Sequence, residues 1–444
     1  MVAIAPIAPI ERRIPPAGTA LSVEQRREVE SALAHLTERS SEEPDRLDIA
    51  AVHKAVRFAL ENGEFYDPPK DLEKIRALVR AADSPLAKTG LLIRGYRSGI
   101  DGSIQPYGID VPAGLDPAVP APVWIWLHGR GDKETDLHFL YQRLTKGGPF
   151  RPRDAIVLHP FGRQCVGWKH AGEVDVFDAL DALAREFEVD RERIALCGFS
   201  MGGAGAWHIG AHYTERFAAV HAGAGFAETA RYIRLKKEDY PPEYEQALWG
   251  LYDVPAYARN LLRIPLVAYS GENDKQIQAA QVMEGALAGH GRALRHIIGP
   301  GMGHKYHPDS ARKIEGIIAS ALLDGRDAHP VEVHLQSRTL RYQRKHWVSI
   351  TGLERHWVDA RVDAAIEGQR YEIKTVNVSG LSINRSGDAN GGTIDGQPFA
   401  PTENAKHRLV KIDGKWRVGE PEGTGKRPGL QGPIDDAFMS PFLV

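Results

Sequence analysis

Apolar positions recur at helical spacing through the first part of the chain. Leu21, Val29, Leu33 and Leu36 fall at such intervals after Ser22, and Gln25 three positions beyond the serine has the form of a capping box. Ile49, Val52, Val56 and Leu60 mark a second helix, from Asp45 through Leu60 and ending near Gly63. Pro68-Pro69 breaks the chain before a third helix over Asp71–Ala81. Residues 21–88 therefore read as a helical N-terminal module. His53 lies near the apolar face of the second helix, where a packing role is expected. Residues 1–20, apolar but interrupted by Pro6 and Pro9, read as a disordered or surface-lying extension.

From Leu91 the period changes. Gly90–Tyr96 and Gln105–Val111 form two strands around a polar turn. Val123–Leu127, Ala155–Leu158, Arg193–Cys197, Phe217–His221, Pro265–Ser270 and Ala293–Ile298 are further strands. Helices are expected over Glu173–Phe187, after Gly203, over Ile277–Ala288 and over Ser310–Leu322. Strands alternating with helices predict an α/β fold over 89–326, a mostly parallel sheet with helices on both faces and an antiparallel edge hairpin. Within it, 226–262 is an aromatic-rich insertion that either roofs a site above the sheet or packs as a surface excursion. Beyond Pro330 the pattern is β only: Val331–Leu340, Trp347–Ile350, Val358–Ile366, Tyr371–Val378, and a hairpin across Asp413-Gly414. Residues 379–397, rich in Gly, Asn and Ser, read as a loop. The span 327–444 is thus expected to be an all-β, sandwich-like domain. In it Trp347, His356 and Trp357 are expected to serve packing, with a ligand-facing surface as the alternative, and the apolar end Pro441–Val444 to form an edge strand or mark a cut chain.

Composition narrows the function without choosing it. The 444 residues are 42% hydrophobic and 26% charged, with a net charge of −2. This balance predicts neither nucleic acid nor a membrane surface as partner. Two cysteines, Cys165 and Cys197, make no disulfide framework. Without a basic leader or a membrane-spanning run, the expected address is the cytoplasm, or the periplasm or exterior for a mature chain whose signal is missing.

The chemistry centres on Gly198-Phe199-Ser200-Met201-Gly202-Gly203, between the apolar run Ile194–Cys197 and a helix-compatible run from Ala204. A serine between glycines at a strand-to-helix junction is a nucleophile elbow, which lifts the hydroxyl above the sheet. Such a serine needs a base, and the base needs a carboxylate to orient it. Asp274 follows the Pro265–Ser270 strand and His304 follows the next, in the order Ser, Asp, His. Glu272 is the second candidate carboxylate; His307 and His296 are the other histidines, although His296 falls inside a strand. For the oxyanion, the backbone N–H groups of Met201 and of Gly129 or Arg130 are the expected donors, because His128-Gly129-Arg130-Gly131 follows the Val123–Leu127 strand. His128, His159, Trp168 and Trp249 are candidate pocket residues. Trp207 and His208 are expected to pack against the sheet, and Glu173 and Asp175 to sit at a helix N-terminus. No cluster shows metal-ligand spacing, since His304-x-x-His307 lacks a third ligand, and no metal is expected.

The stretch from about Gly90 to Leu323, through His128–Gly131, Gly198–Gly203, Asp274 and Gly303-His304, resembles the catalytic domain of the prolyl oligopeptidase family of serine hydrolases and its esterase relatives. The elbow with Trp207 also looks like bacterial esterases of the feruloyl esterase and polyhydroxybutyrate depolymerase type. The resemblance implies an α/β-hydrolase fold, an acyl-enzyme at Ser200 and no cofactor. Family members with prolyl specificity carry a β-propeller before this domain, and the helical module is too short to be one. The expected substrate is therefore a small-molecule or polymer-linked ester, such as an aromatic ester or an acylated polysaccharide. A peptidase is the alternative within enzymes, and a non-catalytic binding protein on the same scaffold is the rival outside them.

Overall fold

The computed structural model describes residues 14–384, 387–420 and 425–439. Most of the expected N-terminal extension, and the apolar end at 441–444, lie outside the described residues. Residues 14–20 run over the helical module, where the Thr19 N–H donates to the Phe65 carbonyl at 2.6 Å.

Three helices open the chain: α1 (Val23–Glu42), α2 (Leu47–Asn62) and α3 (Pro68–Asp83). The capping box forms as read. Ser22 Oγ accepts from the Gln25 N–H at 3.2 Å, and the Ser22 N–H donates to Gln25 Oε1 at 2.9 Å. Gly63 closes α2 at φ 65°. Pro68 and Pro69 do not precede the third helix but form its first two positions, where a missing N–H costs nothing.

The central sheet has eight strands: β1 (Gly90–Arg97), β2 (Ile104–Val111), β3 (Ala121–Leu127), β4 (Ile156–Pro160), β5 (Val189–Phe199), β6 (Ala219–Gly223), β7 (Leu266–Gly271) and β8 (Arg295–Gly299). Their order is β1-β2-β4-β3-β5-β6-β7-β8. The β1–β2 and β2–β4 pairs are antiparallel and the rest parallel. This is an α/β-hydrolase sheet. The sequence reading omitted α4 (Asp136–Thr145), whose Leu137, Phe139 and Leu140 share a core with α1–α3. The helices α5 (Ala171–Glu186), α6 (Met201–His212) and α9 (Ile277–Ala288) share one core, and α10 (Pro308–Asp324) packs in another. Between β6 and β7 the insertion holds α7 (Thr229–Tyr232), α8 (Glu243–Trp249) and a 3-10 segment, Val254–Leu261. No helix among the described residues is long and apolar enough to cross a membrane.

Beyond α10 come β9 (Glu332–Ser337), β10 (Arg344–Lys345), β11 (Val348–Leu353), β12 (Ala360–Glu367), β13 (Arg370–Val376), β14 (Val378–Asn384), β15 (Gly392–Ile394), β16 (Gln397–Phe399), β17 (Lys406–Ile412) and β18 (Lys415–Val418). They form two five-stranded sheets, β10-β11-β14-β17-β18 and β16-β15-β13-β12-β9, around one apolar core. The expected loop over 379–397 therefore carries strand at both its ends, within β14 and in β15. Buried Leu381, Ile383 and Ile394 put it in the sandwich, and its small residues hide the two-residue period.

The sandwich is bonded to the hydrolase through a buried amide. Asn260 Nδ2 donates to the carbonyls of Ala211 at 2.9 Å and Gln336 at 3.0 Å, while its Oδ1 accepts from the Gln336 N–H at 2.7 Å. Lys345 Nζ donates to the Asn260 carbonyl at 2.6 Å. Removing a buried group with three hydrogen bonds strands its partners without water. Asn260→Ala is expected to lower stability by about 2–4 kcal/mol, read as an earlier midpoint in urea followed by tryptophan fluorescence.

Candidate active site

Ser200 stands between β5 and α6 with φ 60° and ψ −120°, a conformation costly for a residue with a Cβ. The surrounding backbone enforces it. The Ser200 N–H donates to the Gly223 carbonyl at 2.9 Å, and the Ser200 carbonyl accepts from the Ala204 N–H at 3.0 Å. A Cβ on Gly198 would stand 2.1 Å from the Gly202 carbonyl oxygen, and one on Gly202 1.9 Å from that of Leu127. No side chain fits at either position, so β3, β5 and α6 meet with backbone against backbone.

Two loops at the ends of β7 and β8 approach this serine. Asp274 Oδ2 lies 2.7 Å from His304 Nδ1, and His304 Nε2 lies 2.8 Å from Ser200 Oγ. The carboxylate can only accept, so Nδ1 carries the proton and Nε2 offers its lone pair to the Ser200 hydroxyl. Asp274 is buried, and its Oδ1 accepts from the Gln276 N–H at 2.9 Å. His304 remains 44% exposed at its side chain, open to a substrate. Phe199 packs beside the ring at 4.9 Å.

The other candidates hold different positions. Glu272 Oε2 accepts from the Gly301 N–H at 2.7 Å and so ties the Asp274 loop to the His304 loop. His307 caps α10, its Nδ1 accepting from the Asp309 N–H. His296 stays within β8 between Glu284 and Ser270. Near the serine on the β3 side, an added Cβ on Gly129 would lie 3.9 Å from Ser200 Oγ. Arg130 and Met201 line the same cleft as Ser200.

That cleft has a volume of about 230 Å³. It is lined by Arg130, Cys165, Met201, Phe226, Tyr232 and Gln276 around Ser200. Trp168 is 1% exposed and lies behind this wall, its Nε1–H donating to the His128 carbonyl. The two ring nitrogens of His128 lie 2.8 Å from the Gly129 and Phe161 carbonyls, of which a neutral ring can donate to one, and the ring packs on Trp168. His159 is buried beside Arg143. Burial holds both imidazoles below their usual range, well below for His159. Trp249 lines another cleft with Tyr240, Arg338 and Trp357. The insertion does reach the serine, but through Phe226 and Tyr232, stacked at 4.3 Å. Its aromatic density was the sequence signal; which rings turn inward was not in it. Both cysteines are free.

Glu173, His208 and His212, from two helices, bring three ligand atoms within 4.8 Å of one another.

Residues 166–318 match the model of the prolyl oligopeptidase family. The match covers the elbow, Asp274 and His304 and excludes the helical module and the sandwich. No curated protein sequence matches the chain. Among solved structures, the chain is similar to a putative dipeptidyl aminopeptidase IV from Bacteroides ovatus, at 17% identity and a TM-score of 0.42 over 53% of this chain and 36% of that one. It is similar to an S-formylglutathione hydrolase from Agrobacterium tumefaciens, at 19% identity and a TM-score of 0.41 over 54% and 98%. An acylaminoacyl peptidase from Pyrococcus horikoshii aligns at 16% identity and a TM-score of 0.40, over 54% of this chain and 42% of that one.

The tight backbone approach gives a direct test. Gly202→Ala is expected to destabilise the fold by about 3 kcal/mol or more, because its methyl group meets rigid carbonyls rather than a yielding side chain. Thermal unfolding followed by circular dichroism checks it, with Gly316→Ala, where an added Cβ meets open space, as the control.

Proposed function

We propose that this chain is a serine hydrolase that cleaves acyl esters through Ser200, His304 and Asp274. The 2.8 Å contact between Ser200 Oγ and His304 Nε2 carries the reading. As Oγ attacks the acyl carbonyl, its proton passes to Nε2, and Asp274 stabilises the imidazolium that forms. The tetrahedral oxyanion is held by the Met201 N–H and by that of Gly129 or Arg130. Collapse breaks the bond to the leaving alkoxide, which takes the proton from Nε2. Water then repeats the sequence on the acyl-enzyme and frees the acid. None of these steps draws on a cofactor.

The cleft beside Ser200 supports a neutral, ring-bearing acyl group. Its volume suits one such group, Phe226 and Tyr232 supply an aromatic wall, and the charge of Arg130 is answered by Asp132. An aromatic ester, free or linked to a polysaccharide, is the preferred substrate. The family match favours a second reading, a peptidase with the same acyl-enzyme chemistry.

A fluorophosphonate probe is expected to label the wild type and not Ser200→Ala; equal labelling of both would remove the serine from the mechanism. His304→Ala and Asp274→Asn are each expected to lower kcat by about 10⁴-fold. A near-normal rate in His304→Ala would move the base elsewhere. Turnover of p-nitrophenyl esters but not of proline p-nitroanilides is expected, and the reverse pattern would select the peptidase.

A further inference from the structure

The most unusual polar cluster outside the proposed active site lies on the same helix as Ser200. His208 and His212 stand four residues apart on α6 and so share one face. Opposite them is Glu173, in the first turn of α5. All three are at most 3% exposed.

The two carboxylate oxygens of Glu173 have different surroundings. Oε1 is surrounded by donors: the Tyr213 hydroxyl at 2.9 Å, an Arg341 guanidinium nitrogen at 3.4 Å and, at 3.2 Å, the Tyr342 hydroxyl whose one proton it shares with Oε2. Oε2 takes the Tyr342 hydroxyl at 3.0 Å and otherwise faces the histidines, with His212 Nδ1 at 3.5 Å and His208 Nδ1 at 3.9 Å. His208 Nε2 lies 3.3 Å from the Gly167 carbonyl, which can only accept, so the ring proton of the neutral imidazole belongs on Nε2. Nδ1 is then a bare lone pair aimed at a carboxylate in a site shut off from water. His208 Nδ1 has no hydrogen-bond partner, and His212 reaches the Glu173 carboxylate only at the long distance of 3.5 Å. The His208 lone pair and the Glu173 carboxylate thus face each other as two acceptors, an unfavourable pairing in a dry interior. A cation between them removes the conflict.

We propose that His208 Nδ1, His212 Nδ1 and Glu173 Oε2 bind one divalent transition-metal ion of the zinc type. Two imidazole nitrogens and one carboxylate oxygen are a zinc donor set. Zinc bonds of about 2.0–2.2 Å place tetrahedral ligands about 3.3 Å apart, so gaps of 3.5 and 3.9 Å close with a small ring movement. The outer contacts fit the same purpose. The Gly167 carbonyl fixes the His208 tautomer, and Tyr213, Tyr342 and Arg341 hold the other carboxylate oxygen. The site is structural rather than catalytic. His208 is eight residues along α6 from Ser200, about 12 Å at 1.5 Å per residue. The ion would tie α5 to α6 and, through Tyr342 and Arg341, to the C-terminal sandwich.

The test uses the full-length, tag-free chain and zinc or cobalt(II) alone. Mass spectrometry of the purified protein, and competition against a chromophoric chelator, are expected to give one ion per chain. Cobalt(II) is expected to give the visible absorption of a four-coordinate site. His208→Ala, His212→Ala and Glu173→Gln should each weaken binding at least about tenfold, while Ser200→Ala binds as wild type does. Chelation should lower the Tm of the wild type and leave that of folded His208→Ala unchanged. If wild type takes up no ion at micromolar metal, the proposal fails. It fails equally if uptake persists in both histidine variants. Should those variants not fold, the stoichiometry and cobalt spectrum of the wild type decide. The esterase assay enters none of these measurements, so the two readings stand or fall separately.

Discussion

The fold depends on one close approach of backbone to backbone. Where β3, β5 and α6 meet, Gly198 and Gly202 sit against the carbonyls of Gly202 and Leu127, with no room for a Cβ. That approach leaves Ser200 the sharp turn between strand and helix and holds it at φ 60°. It also sets the Gly129–Arg130 loop beside the serine. The strain is carried by the hydrogen bonds to Gly223 and Ala204 and by the parallel strands on both sides. A hydroxyl raised above the sheet and the nearness of the Gly129–Arg130 loop thus follow from a single steric condition.

The partners of that serine arrive from elsewhere in the chain, and small contacts keep them in register. Glu272 does not face the serine; it bonds the Gly301 N–H and so joins the two loops that carry Asp274 and His304. Gly271 presses against the Gly303 carbonyl, where an added Cβ would stand 2.1 Å away. A charge relation between Asp274 and His304 is useful only if their separation is kept, and these contacts keep it.

The outer parts of the chain are less separate than their sequence patterns suggest. The helical module shares a core with α4 and Ile93, so it is the cover of one sheet face. The sandwich is held through Asn260, Lys345 and the stack of Tyr342 on His212 at 3.4 Å. Because His212 lies on the helix that begins beside Ser200, the sandwich bears on the element that follows this serine. The insertion contributes Phe226 and Tyr232 to the cleft and sends Trp249 to another face.

Local signals in the sequence determined much of this protein. The capping box at Ser22, the strand and helix periods, the elbow, and the order Ser200, Asp274, His304 are written in near neighbours, because they rest on turn sterics, caps and the alternation of buried positions. Three kinds of feature came only from tertiary structure. The strands within 379–397 were hidden because their small residues gain apolar surroundings only when the two sheets close. That His128, His159, Trp168 and Trp249 do not line the cleft beside Ser200 was also outside the sequence, because the direction of a side chain depends on which element packs behind it. The Glu173, His208 and His212 cluster was missed because Glu173 is 35 residues from His208 in sequence. Their meeting depends on the packing of α5 against α6, which no local pattern records.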